Sequence, residues 1–110
     1  MQKKMVVYVE KEKFLRELME KAISGAGFDI YSYPDHDCMH FIDDLKPDLL
    51  ILDGQTISKE FIERLDAHIP VILTGDLPAL ESLSRPIHTH IEKPLGPFDL
   101  VAIVSKILQQ

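Results

Sequence analysis

The sequence predicts an α/β protein, a parallel sheet whose strands are joined by crossover helices. Two observations carry this. Five short apolar runs alternate with five segments of helical periodicity along the chain. The central run, Leu49-Leu50-Ile51-Leu52, places four branched aliphatics in a row without polar alternation, the pattern of a strand covered on both faces. It follows Pro47-Asp48 and ends at Asp53-Gly54, so it delivers a single carboxylate to the carboxyl end of a strand. Open α/β sheets keep their sites at that rim.

The elements follow in order. The first strand is expected over Met5 to Val9 and the first helix over Lys13 to Ser24, with Phe14, Leu15, Leu18, Met19, Ala22 and Ile23 on its buried face and Gly25 and Gly27 as its stop. A second strand spans Phe28 to Tyr33. The second helix runs from Asp35 to Leu45 through Cys38, Phe41, Ile42 and Leu45, with Pro47 beyond its end. After the strand Leu49 to Asp53, a third helix fits Ile57 to Ala67 through Ile57, Phe61, Ile62 and Leu65. Strands at Pro70 to Thr74 and His88 to Glu92 flank a fourth helix that keeps helical spacing only at Leu77, Leu80 and Leu83 and should be short. A fifth, from Pro97 to Leu108, opens with proline in its first turn and buries Leu100, Val101, Val104 and Leu108.

Composition narrows the classes. At 110 residues the chain is the size of one domain, read as 1–110, and 45% hydrophobic with 27% charged residues it is globular. Its apolar runs are too short for a membrane span and its start has no signal-peptide pattern, so a cytoplasmic location without membrane contact is expected. The single cysteine, Cys38, excludes an internal disulfide and reads as a small buried apolar residue. A formal charge of −6 without a basic stripe argues against direct nucleic-acid binding.

Three further groups follow strand ends and should converge with Asp53: Glu10-Lys11-Glu12, Thr74-Gly75-Asp76 and Lys93-Pro94. A carboxylate, a hydroxyl and an ammonium around one concavity are the parts needed to accept a phosphoryl group. Taken singly, each is also explained by a helix cap or a surface salt bridge.

With the strand-one acid followed by Phe14-Leu15-Arg16-Glu17-Leu18, the run Pro47 to Asp53, Pro70-Val71-Ile72-Leu73-Thr74, and Lys93-Pro94 before Phe98-Asp99-Leu100, the chain resembles the receiver domains of two-component response regulators nearly end to end. The resemblance implies a flavodoxin-like sandwich with strand order 2-1-3-4-5 and, here, shortened third and fourth helices. It implies that Asp53 matches the phosphoacceptor, Thr74 the switch hydroxyl, Lys93 the phosphate-pairing lysine and His90 the switch aromatic. Any catalysis would be limited to phosphoryl acceptance and autodephosphorylation at Asp53. Partners would be a histidine kinase or an output protein, and the face of the fourth helix, fifth strand and fifth helix would serve for docking or a homodimer.

The departures are as informative. Receivers carry two adjacent acids after the first strand, which with the phosphoacceptor hold Mg²⁺; here the pair is Glu10-Lys11. Glu10 and Asp53 against Lys11 and Lys93 sum to zero, which removes the electrostatic reason for the ion, and an ammonium cannot supply an oxygen ligand. A residual Mg²⁺ site would have to use Glu10, Asp53 and Gln55, with Glu12 one residue further along the loop. A solvent-facing Lys11 would only weaken such a site. The chain also passes through Gly54-Gln55-Thr56-Ile57 straight into the third helix, without the Met-Pro-Gly loop common in the family, and Gln55 and Asp76 are placed to guard the site.

Other ligands leave little trace. His88 and His90 share a strand face and His36 and His40 a helical turn, but two ligands do not make a zinc site. No Gly-rich loop follows the first strand, so flavin and dinucleotide sites are not expected. Two classes stay open: a phosphoryl-accepting switch at Asp53, and a degenerate receiver that works through protein-protein interaction, which the loss of the second acid favours.

Overall fold

The computed structural model describes residues 3–76 and 83–108. In chain order the elements are β1 (Met5–Val9), α1 (Lys13–Gly25), β2 (Asp29–Tyr33), a 3₁₀ turn (His36–Cys38) running into α2 (Met39–Leu45), β3 (Leu49–Asp53), α3 (Lys59–Arg64), β4 (Val71–Thr74), β5 (Thr89–Ile91) and α4 (Pro97–Leu108). All five strands are parallel, in the order β2-β1-β3-β4-β5. This is the flavodoxin-like arrangement expected from the sequence.

The missing alternation in β1, β3 and β4 has a direct cause. Odd and even residues of each strand enter two different cores. Val7, Val9, Leu50, Leu52, Val71 and Leu73 pack on one face with Cys38 and Ile42 from the second helical segment and Phe61 and Ile62 of α3. Val6, Tyr8, Leu49, Ile51 and Ile72 pack on the other with Met19 and Ile23 of α1 and Leu100 and Val104 of α4. Both faces being covered, polar residues have no place until the strand ends.

The helices differ from expectation in three respects. The apolar arc of α1 is wider than the surface it covers: Met19 and Ile23 reach the core, but Phe14 is 72% exposed and Leu18 38%. These two form a stripe one residue round from Leu15, Met19 and Ile23, and the turn of about 100° per residue carries them off the sheet. The second helix opens as a 3₁₀ turn because the Asp35 carboxylate accepts from the Asp37 N–H, and Phe41 stays largely exposed, stacked on Tyr33 with centroids 6.3 Å apart. The third is cut to six residues: Ser58 caps it by accepting from the Phe61 N–H, and Leu65 turns extended at its end. Ile57 and Leu65 are nonetheless buried, held in the core by flanking irregular chain. In the fourth predicted helix, Leu77 and Leu80 lie outside the described residues, while Leu83 packs against the core.

At the opposite end from Asp53, Arg85 is buried and donates to the carbonyls of Ala67 and Ile69, at 3.3 and 2.7 Å. It ties the chain entering β4 to the chain approaching β5. Burial lowers its pKa, and only the charge of nearby Asp66 opposes this. Among the described residues no helix is long and apolar enough to cross a membrane.

Replacing Ile51 by alanine should cost about 2–5 kcal/mol, because its side chain is fully enclosed against α1 and α4. Phe14→Ala should stay within about 0.5 kcal/mol. Urea unfolding of the two variants measures both.

Candidate functional site

The carboxyl ends of four strands bring the predicted side chains together. Glu10 leaves β1, Asp53 ends β3, Thr74 ends β4 directly across from Asp53 in the sheet register, and Lys93 lies two residues beyond β5 and is followed by a cis Lys93–Pro94 peptide. The carboxylates of Glu10 and Asp53 are each only 1% exposed.

Lys93 bridges them. Its Nζ donates to Glu10 Oε1 at 2.5 Å and lies 2.9 Å from Asp53 Oδ1. The second contact is an ion pair without hydrogen-bond alignment, so Asp53 Oδ1 has no aligned donor. Burial lowers the pKa of Lys93, but the hydrogen bond to Glu10 and the negative charges of Asp53 and Glu10 outweigh it and the net shift is upward. Tyr8, in the layer below, has its phenol pushed up by burial first and then by the negative charges of Glu10 and Asp53.

The remaining carboxylate oxygens are engaged from within the chain. Glu10 Oε2 accepts from the Glu12 N–H at 3.0 Å, and Asp53 Oδ2 accepts from the Thr56 hydroxyl at 2.5 Å. Lys11 does not pair with Asp53. It is exposed, its Nζ lies 3.4 Å from the Gln55 carbonyl, and its own N–H donates to Thr56 Oγ1 at 2.9 Å. Glu12 caps α1 through the N–H groups of Phe14 and Leu15, so its carboxylate turns to the helix.

Glu10, Asp53 and Gln55, the residues left to hold Mg²⁺, do not fit that ion. A hard divalent ion needs several free oxygens in near-octahedral array. One ammonium takes a carboxylate oxygen on each acid, a hydroxyl takes the second oxygen of Asp53, and Lys11 stands at the Gln55 carbonyl. Among the described residues no group of three or more His, Cys, Asp or Glu side chains could hold a metal. His88 instead meets Thr89 Oγ1 at 2.8 Å, and His90 Nε2–H donates to the Gly75 carbonyl at 2.6 Å.

Two features escaped sequence reasoning. Thr56 completes the turn after β3, where its N–H returns to the Asp53 carbonyl and its hydroxyl to the Asp53 side chain; the pattern Asp-Gly-x-Thr was the available signal. Gly75 adopts φ +70, and a Cβ there would stand 3.4 Å from Lys93 Cδ and 3.5 Å from Asp53 Oδ1. This small residue borders a cavity of about 370 Å³ lined also by Gln55, Asp76, Glu92 and Lys93. Gln55 Nε2 reaches the Asp76 carbonyl at 3.5 Å beside it. Thr74 Oγ1 is buried without a hydrogen-bond partner.

No family model matches the chain, and no curated protein sequence does. Solved structures do. A response regulator receiver protein from Burkholderia phymatum is 25% identical with a TM-score of 0.74, covering 97% of this chain and 96% of its own. The receiver domain of the Francisella response regulator 1452 superposes with a TM-score of 0.83 at 16% identity, with coverages of 96% and 97%. HP1043, an orphan response regulator of H. pylori, gives 0.80 at 21% identity over 96% of each chain. The chain therefore has the receiver fold.

Lys93→Met should destabilise the protein by about 3 kcal/mol, since it strands two buried carboxylates; the partial exposure of Lys93 keeps the loss at the low end of the range for broken buried pairs. Because folding raises the pKa of Lys93, its contribution is complete below the ordinary value of 10.5 and is lost as pH rises through the higher folded value. Chemical denaturation from pH 8 to about 12 should show a larger alkaline loss in the parent than in the variant, since the loss due to the raised pKa of buried Tyr8 is common to both.

Proposed function

We propose that this chain is a receiver-like domain of a two-component phosphorelay system, degenerate at its acceptor site, that signals by binding another signalling protein. The observation that carries the reading is the clamp at the rim: Lys93 pairs with both Glu10 and Asp53, and a lysine, Lys11, stands where the family pattern has its second acid. Phosphoryl transfer to a carboxylate needs the transferring group neutralised and aligned. With no oxygen set that suits a divalent ion, Asp53 lacks that assistance.

The partner is a histidine kinase or an output protein. The docking or dimer face is proposed to lie on the fourth predicted helix, part of which falls outside the described residues, on β5 and on α4. Phe98, at the start of α4, is 88% exposed, the most exposed large apolar side chain among the described residues, and supports this placement. Phe14 and Leu18 add exposed apolar surface on α1, where the sequence led us to expect burial. Direct nucleic-acid or membrane binding has no support in the acidic balance of the chain.

A second reading, a phosphorylation-competent receiver, is favoured by one observation. Asp53 and Thr74 are register partners across β3 and β4, and neither Asp53 Oδ1 nor Thr74 Oγ1 has an aligned hydrogen-bond partner. In that case an Asp53 oxygen attacks the donor phosphorus, the bond to the leaving atom breaks, an imidazole nitrogen for a histidine kinase and a carboxylate oxygen for an acyl phosphate, and the Thr74 hydroxyl and Lys93 face the new phosphoryl oxygens.

Incubation with Mg²⁺ and an acyl phosphate, read by intact mass, separates the two. The expected result is an unchanged mass. A phosphoryl adduct present in the parent and absent in Asp53→Ala would replace the proposal with the second reading.

A further inference from the structure

The loops after β1 and β3 are joined by two hydrogen bonds, both from Lys11, and a third, from Thr56 to Asp53, lies within the chain after β3. The Lys11 N–H donates to Thr56 Oγ1 at 2.9 Å, the Thr56 hydroxyl passes its proton donation to Asp53 Oδ2 at 2.5 Å, and Lys11 Nζ lies 3.4 Å from the Gln55 carbonyl. The buried acceptor, Asp53, has a physical need for its donor. Asp53 is buried and charged, so an unserved Oδ2 would be costly, and the exposed Gln55 carbonyl lies at the end of an ammonium that has no acid partner among the described residues.

We infer that Lys11 and Thr56 form an internal tie that does the work of a bridging cation, joining the loop after β1 to the loop after β3, with Thr56 as the positioning residue that fixes the Asp53 carboxylate. The ammonium supplies the positive charge, and the hydroxyl relays one hydrogen bond from the first loop to the acid on the second. Lys93 approaches Asp53 through Oδ1, the other oxygen, so the two donors share the carboxylate without competing. The inference deepens the proposed function and rests on it in one respect, that Asp53 is the centre of the site. It gives that reading a chemical reason: the oxygens that a divalent ion would need are held by groups of the chain itself.

The tie is read by NMR of the full chain. In Thr56→Val the Lys11 amide loses its acceptor, and its hydrogen exchange should quicken by about tenfold, while Thr56→Ser should retain the slow exchange. A purely packing role for Thr56 would instead make valine the better replacement. Manganese(II) is the second probe. The parent should show no paramagnetic broadening centred on Asp53 and Gln55, and the double variant Lys11→Asp with Thr56→Val should acquire it. Unchanged Lys11 exchange in Thr56→Val, broadening at Asp53 in the parent, or no gain in a folded double variant would each overturn the inference. The acyl phosphate experiment on the parent tests the proposed function separately, so the two can fail independently.

Discussion

The ammonium of Lys93 holds the rim of this molecule together. Two carboxylates, at the ends of β1 and β3, are withdrawn from water, and each costs several kcal/mol unless a counter-charge and donors reach it. Lys93 meets both, and the backbone N–H of Glu12 and the hydroxyl of Thr56 serve the oxygens left over. The chain after β5 is thereby tied to the chain after β1, across the whole width of β3 and β4. The loops at this end of the sheet take their positions around that contact.

The sheet makes the contact possible. Its strands feed alternate residues into two separate cores, so the central strands are apolar throughout and polar side chains first appear where the strands stop. Parallel register then sets Asp53 beside Thr74, and Gly75, with positive φ and no side chain, lets Lys93 lie close to Asp53. A larger residue at 75 would press on both the lysine stem and the carboxylate. Charge balance follows from the same geometry. The rim meets its need for positive charge with lysines, which serve carboxylates as point charges but supply no oxygen to a metal.

Much of the fold was legible because apolar patterning is a local signal. The bounds of β1, β3 and α4 coincide with those expected. Phe14 and Phe41 were assigned to buried faces because periodicity reports an apolar arc and not the width of the surface that the arc meets. In the same way Ile57 and Leu65 are buried as expected, although they lie outside the helix that the sequence drew around them.

The sequence by itself determined which chemical groups reach the rim: an acid after β1, an acid ending β3, a hydroxyl ending β4 and a lysine after β5, because strand ends can be read from where apolar runs stop. Only the tertiary structure decided how those groups are paired. Glu10 and Lys93 are 83 residues apart in the chain, and nothing local distinguishes Lys93 from Lys11 as the partner of Asp53. Assembly of the sheet sends Lys93 inward, between two buried carboxylates, and leaves Lys11 at the surface beside the Gln55 carbonyl. The physical reason is that an ion pair of this kind depends on burial and angle at a few ångströms, and those are set by packing between distant segments, to which sequence spacing is blind.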